Sequence, residues 1–205
     1  MVEHLIIFCK APRPGFVKTR LAASVGSETA CRHYRYLADT VFRQLQAMEH
    51  VELRFTPDDA AGEVAAWKKR PSWRTTPQGP GSLGDRLNAA FDDCFQMGAE
   101  RVVVIGTDTP ELSESDVREA FLALRQEDVV VGPSEDGGYW LIGLTDPHPE
   151  LFDNQDWGTD RVCQETLVRA QVRGLQTRLL RLLPDIDTEE DWNRFRQRQV
   201  AWRTP

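Results

Sequence analysis

Arg101-Val-Val-Val-Ile105, followed at once by Gly106-Thr-Asp-Thr-Pro110, is the stretch on which the fold reading turns. Four β-branched apolar residues in a row predict a strand buried on both faces, and the glycine and proline end it in a polar loop. Leu5-Ile-Ile-Phe-Cys9 repeats the pattern near the start of the chain and runs into Lys10 and Pro12. Outward from these two, strand and helix signals alternate. A helix over 20–48, broken near Gly26, leads to a strand at Val51–Phe55, a helix over Asp58–Lys69 and a short strand at Trp73–Thr76. Asp85–Met97 places Leu87, Ala90, Phe91, Cys94 and Phe95 on one helical face. Ser113 with Asp116 forms a capping-box pattern ahead of Val117, Ala120, Phe121 and Leu124. Asp128–Gly132 and Tyr139–Leu144 are expected to pair as an antiparallel hairpin. A helix opening at Thr159, a strand over Leu175–Leu183 and a last helix capped by Thr188 complete the chain. Such alternation predicts a three-layer α/β/α sandwich of Rossmann type, its sheet mostly parallel with one antiparallel element. No repeat or linker divides residues 1–205, so one domain is expected. In these sheets ligands bind beyond the carboxyl ends of the strands, where the strand order reverses.

The totals narrow the chemistry. At 205 residues, 40% hydrophobic, 28% charged and a net charge of −7, the chain is an acidic globular protein, with no general affinity for nucleic acid or anionic membrane. Cys9, Cys31, Cys94 and Cys163 are scattered without a CxxC pair, which predicts free thiols in a reducing compartment. Nothing at the N-terminus reads as a signal peptide, and the apolar run Leu5–Cys9 is too short to span a bilayer. A cytoplasmic protein is expected.

Positive charge is nonetheless concentrated in one place. Lys10, Arg13, Lys18 and Arg20 fall between Glu3 and Glu28, a span without any acidic residue. The loop leaves the first strand, is stiffened by Pro12 and Pro14, turns at Gly15 and enters a helix. Lys18, Arg20 and the free N–H groups of the helix start are suited to holding a polyphosphate. A solvated basic loop would carry the same charges, but its position after the first strand favours phosphate. Neither GxxxxGK[ST] nor GxGxxG is present.

The acidic candidates lie at other strand ends. Asp108 after the central strand either holds Mg²⁺ or Mn²⁺ or stabilises the turn before Pro110. Ser134-Glu-Asp-Gly-Gly138 is a hairpin signal with one glycine more than a hairpin needs. Gly137 and Gly138 would let a substrate lie on the backbone, with Glu135 or Asp136 as a metal ligand or base. In Asp185-Ile-Asp-Thr-Glu-Glu-Asp191, a capping box accounts for Thr188 and Asp191 but leaves Asp185 and Asp187 free to join Asp108 around a metal. Gln78-Gly79-Pro-Gly-Ser-Leu83-Gly84 is a glycine-rich loop suited to covering a base or ribose.

In order, the blocks IIFCKAPRPGFVKTRLA (6–22), QGPGSLGDRLNAAF (78–91), VVVIGTDTPELS (102–113), VVVGPSEDGGYWLIGL (129–144), WGTD (157–160) and PDIDTEEDW (184–192) resemble the bacterial DUF2064 family of the glycosyltransferase A superfamily. Their order is also similar to that of 2-phospholactate guanylyltransferase and the molybdenum-cofactor nucleotidyltransferases. The resemblance implies a nucleotide-diphospho-sugar transferase fold and a divalent metal, with Asp108 at the metal-binding aspartate and Asp187 at a late acidic position. Trp157 and Thr159 of the WGTD block join the expected substrate-binding set, although Gly158 stands where a serine is expected. The function expected is transfer from a nucleoside triphosphate or nucleotide sugar to a small-molecule acceptor, catalysed by Lys18, Arg20, Asp108 and Asp136. Nucleotidyl transfer is favoured because a triphosphate needs more cations than a diphosphate. Glycosyl transfer is the alternative, and a nucleotide- or partner-binding domain without catalysis is the reading from another class.

Overall fold

The computed structural model describes residues 2–201. Seven strands form one sheet: β1 (Glu3–Lys10), β2 (Val51–Thr56), β3 (Arg74–Pro77), β4 (Arg101–Ile105), β5 (Val129–Pro133), β6 (Tyr139–Leu144) and β7 (Thr177–Leu179), in the order β3-β2-β1-β4-β6-β5-β7. β6 runs antiparallel to both neighbours, and every other pairing is parallel. The helices are α1 (Thr19–Val25), α2 (Ser27–Gln44), α3 (Ala61–Trp67), α4 (Leu83–Gln96), α5 (Glu114–Ala123), α6 (Val162–Val172) and α7 (Glu189–Ala201). Among the described residues, no helix is long and apolar enough to cross a membrane.

Alternation along β1 divides the core. Leu5, Ile7 and Cys9 face α2, α3 and α5, burying Phe42, Trp67 and Phe121 among others. Ile6 and Phe8 face the opposite layer, where α4 and α6 bring Leu87, Phe91 and Ala170. β1 is the topological pivot: the chain leaves it towards β2 on one side and returns beside it as β4 on the other. A crevice therefore opens between the carboxyl ends of β1 and β4.

Several expected boundaries shift for local reasons. The helix after Asp58 begins as a 3-10 turn and becomes α-helical only at Ala61. The helix expected from Thr159 starts at Val162, because the Thr159 hydroxyl is spent on Asp156 O in a turn. The late strand is regular only over Thr177–Leu179; beyond it single contacts, Leu180 N to Val131 O and Leu183 N to Pro133 O, keep the segment beside β5. Both capping boxes form: Asp116 accepts from the Ser113 amide and hydroxyl, and Asp191 from those of Thr188.

β2 carries a charge pair inside the core. Glu52 and Arg54 point to one face and are buried, with Arg54 Nε 2.7 Å from Glu52 Oε1 and its Nη2 2.7 Å from Asp93 Oδ2. Burial alone would raise the Glu52 carboxyl, but His4, Arg54 and Thr76 outweigh it and bring it down to about 2. Removing one partner of such a pair strands the other. Arg54→Leu is expected to lower unfolding free energy by about 3 kcal/mol in urea melts, and Glu52→Leu/Arg54→Leu to recover much of that loss. A double variant no more stable than the single would show that the pair is not the source of the cost.

Candidate active site

Two backbone contacts assemble the site before any side chain is considered. The segment after β7 is held to the hairpin by Glu135 N to Leu183 O and to the loop after β4 by Ile186 N to Asp108 O, 3.0 Å. That second bond sets Asp187 beside Asp108. From the other side, the Tyr34 hydroxyl on α2 accepts from Lys10 N at 2.7 Å and meets Thr107 Oγ1 at 3.2 Å, tying the ends of β1 and β4 together. Tyr34 is fully enclosed, and burial pushes its phenol well above its ordinary range.

Lys18 completes the arrangement. It caps α1 in the left-handed conformation, φ 48 and ψ 51, a backbone strain of roughly 1–2 kcal/mol for a residue with a side chain. Its side chain, 4% exposed, reaches inward to place Nζ 2.7 Å from Asp108 Oδ1 and 2.7 Å from Asp187 Oδ1. It donates a hydrogen bond to Asp187. The approach to Asp108 Oδ1 is an ion pair of the same length. Burial would lower the Lys18 ammonium, but the two carboxylates outweigh it and hold it above the ordinary lysine range. Arg20 adds a looser contact, Nη1 to Asp187 Oδ2 at 3.6 Å.

Beside this cluster lies a cleft of about 530 Å³. Of the residues singled out from sequence, it brings together Lys10, Lys18, Arg20, Gln78, Leu83, Asp108 and Asp187. Arg86, Thr107 and Tyr34 also line it, with an apolar wall of Phe8, Leu87, Tyr139 and Ile142. Arg86 escaped sequence reading because it lies inside α4; its guanidinium donates to Gln78 Oε1 at 3.4 Å, and the Gln78 amide donates to Cys9 O and Arg54 O. Spacing could have found it, three residues past Leu83 on the helix face that opens on the loop.

Other expected residues have different surroundings. Arg13 pairs with Asp59 and Glu63 rather than lining the cleft. Neither Pro12 nor Gly15 lines it, and Gly79, at φ 79, serves the turn. A Cβ at Gly84 would meet Phe152 O at 2.6 Å, and one at Gly137 would meet Asp160 O at 2.1 Å, so both glycines permit chain-to-chain approach. Asp136 Oδ1 accepts from Gly138 N and from the Ser134 hydroxyl inside the hairpin turn, and Glu135 is exposed. Trp157 does not line the cleft; it packs edge-on against Tyr139, with ring centroids 6.3 Å apart.

The fold is that of nucleotide-diphospho-sugar transferases, an open mixed sheet with its cleft at the β1–β4 switch point. The DUF2064 family model, described as an uncharacterized protein conserved in bacteria, matches residues 40–159. A structure from Desulfovibrio desulfuricans G20, provisionally assigned as a nucleotide-diphospho-sugar transferase, is 32% identical, covers 95% of this chain and 87% of its own, and gives a TM-score of 0.88. This chain belongs to the DUF2064 family. CMP:2-keto-3-deoxy-manno-octonic acid synthetase complexed with CTP matches at TM-score 0.61 with 10% identity, over 98% of this chain and 99% of that one. Rv0371c of Mycobacterium tuberculosis H37Rv, solved with manganese, matches at 0.54 with 15% identity, over 95% and 97%. At those identities the likeness is one of fold. No curated protein matches the chain.

Asp185 gives the site a measurable signature. Burial, then Asp136 and Asp187, raise its carboxyl from 3.8 to about 7, with Lys18 pulling the other way. Between those two values the folded protein keeps a proton that the unfolded chain has released, so stability falls as pH rises through the window. In chelator-treated protein the melting temperature is expected to drop between about pH 4 and pH 7, and Asp185→Asn to flatten that slope. An unchanged slope in the variant would remove Asp185 from the account.

Proposed function

We propose that the chain is a single-domain, divalent-metal-dependent transferase that takes a nucleotide donor at the β1–β4 crevice. The observation that carries this reading is the convergence of Asp108 and Asp187 on one cation position at the mouth of a cleft lined by Lys10, Lys18, Arg20 and Arg86. The donor set suits Mg²⁺ or Mn²⁺: both ligands are carboxylates, and one oxygen of each is directed at the position the Lys18 ammonium occupies. A bound ion would supply charge neutralisation on the phosphates of the donor. Asp108 and Asp187 would hold the ion; Lys10, Arg20 and Arg86 would face the phosphates; Gln78 and Leu83 would border the space for the nucleoside. Tyr139 and its neighbours on the apolar wall exclude water from the acceptor side. The work asked of these residues is positional and electrostatic, with no covalent intermediate.

Nucleotidyl transfer is the first reading, because four cations around one cleft exceed what a diphosphate needs; the CTP complex of a protein with the same fold supports it. Glycosyl transfer is favoured by one specific observation, the provisional assignment of the 32% identical Desulfovibrio protein. In either case the free thiols Cys9, Cys31, Cys94 and Cys163 suit a reducing cytoplasm.

Calorimetry at fixed ionic strength with Mg²⁺ tests both levels. Nucleoside triphosphates are expected to bind more tightly than matched nucleotide sugars (GTP against GDP-mannose, for instance). Asp108→Ala is expected to remove the Mg²⁺ dependence without lowering the melting temperature of the ligand-free protein. Tighter binding of the nucleotide sugar would exchange the two readings. Equal Mg²⁺ dependence in the variant would end the metal assignment.

A further inference from the structure

Lys18 cannot serve both of the partners the site offers it. Its ammonium contacts Asp108 Oδ1 and Asp187 Oδ1 at 2.7 Å each, and those are the oxygens that face the cation position. A divalent ion takes such oxygens at about 2.1 Å. Two cations sharing the same two oxygens, with no room for water between them, repel strongly in a half-buried site. We propose that Lys18 is a resident counter-ion which a divalent metal displaces, and that the displaced ammonium then pairs with the phosphates of the donor. This rests on the metal assignment made above.

Charge balance gives the proposal its content. Without metal, Asp108 and Asp187 are neutralised by Lys18 and, more loosely, by Arg20. Adding a divalent ion to that neutral cluster leaves uncompensated positive charge, so metal alone binds weakly. Phosphate alone also binds weakly, because the best-placed ammonium is already engaged. Together they satisfy every group: the ion replaces Lys18 at the carboxylates, and Lys18 turns to the polyphosphate. Metal and polyphosphate therefore favour each other's binding, reciprocally.

The local structure permits the exchange. Lys18 belongs to the loop between β1 and α1, where Gly15 has open space beside its backbone. Its left-handed φ of 48 is strain that release of the side chain would let the loop relieve. Asp108 is half exposed and Asp187 about one-third exposed, so an ion can reach both carboxylates from the cleft.

The test uses Mn²⁺ alone, then Mn²⁺ with pyrophosphate, followed by electron paramagnetic resonance. Lys18→Met is expected to bind free Mn²⁺ roughly tenfold or more tightly than the wild type, and to lose most of the gain in Mn²⁺ affinity that pyrophosphate brings to the wild type. Equal or weaker Mn²⁺ binding by Lys18→Met overturns the exchange while leaving the metal assignment standing. If Asp187→Asn fails to weaken Mn²⁺ binding in the Lys18→Met background, both the assignment and the exchange fall. A second measurement needs only the wild type. Acetic anhydride labelling read by mass spectrometry is expected to find Lys18 protected and Lys10 labelled, with Mn²⁺ selectively accelerating Lys18. Continued protection of Lys18 at saturating Mn²⁺ contradicts the proposal.

Discussion

The ion triad of Lys18, Asp108 and Asp187 is the interaction around which the crevice of this molecule is organised. It joins the loop after β1, the loop after β4 and the segment before α7, three pieces far apart in sequence. A lone buried ammonium would be costly, but loss of Asp108 alone leaves Lys18 paired with Asp187. Here the cost is met by backbone organisation that exists independently of the charges. Ile186 N to Asp108 O and the Tyr34 hydroxyl between Lys10 and Thr107 fix the strand ends, so the carboxylates meet without having to hold the chain together themselves.

A second charged group inside the protein shows the contrast. Glu52 and Arg54 are likewise paired, with Asp93 of α4 at the edge of the group, but that pair is buried between strand and helix and does not line the cleft. At the crevice the accounts do not close. Two carboxylates share one buried ammonium, Asp185 is driven to about 7, and Lys18 is held in a strained backbone conformation. Departures of that kind, gathered at a strand-order reversal beside a cleft, mark a site built for something that arrives from outside.

Much of this was legible in the residues. Runs such as Leu5–Cys9 and Arg101–Ile105 are unambiguous because burial on both faces demands continuous apolar sequence. Ser113 with Asp116 and Thr188 with Asp191 marked helix starts that hold to the residue. What sequence could not give was direction. Lys18 and Arg13 look alike within one basic loop, yet one turns into the crevice and the other out to Asp59 and Glu63. Gly84 and Gly137 suggested ligand contact, whereas their missing side chains make room for Phe152 and Asp160. Tyr34 joined the cleft through helix packing, which no local motif records, whereas Arg86 was within reach of helical spacing from Leu83.

The central claim is that Asp108 and Asp187 share a divalent ion. Anomalous diffraction from crystals grown with Mn²⁺ and a non-hydrolysable nucleoside triphosphate addresses it directly. The account predicts one strong manganese peak between the two carboxylates, with the Lys18 side chain withdrawn from both. A peak bound elsewhere, or none near Asp108 while nucleotide fills the cleft, would contradict it.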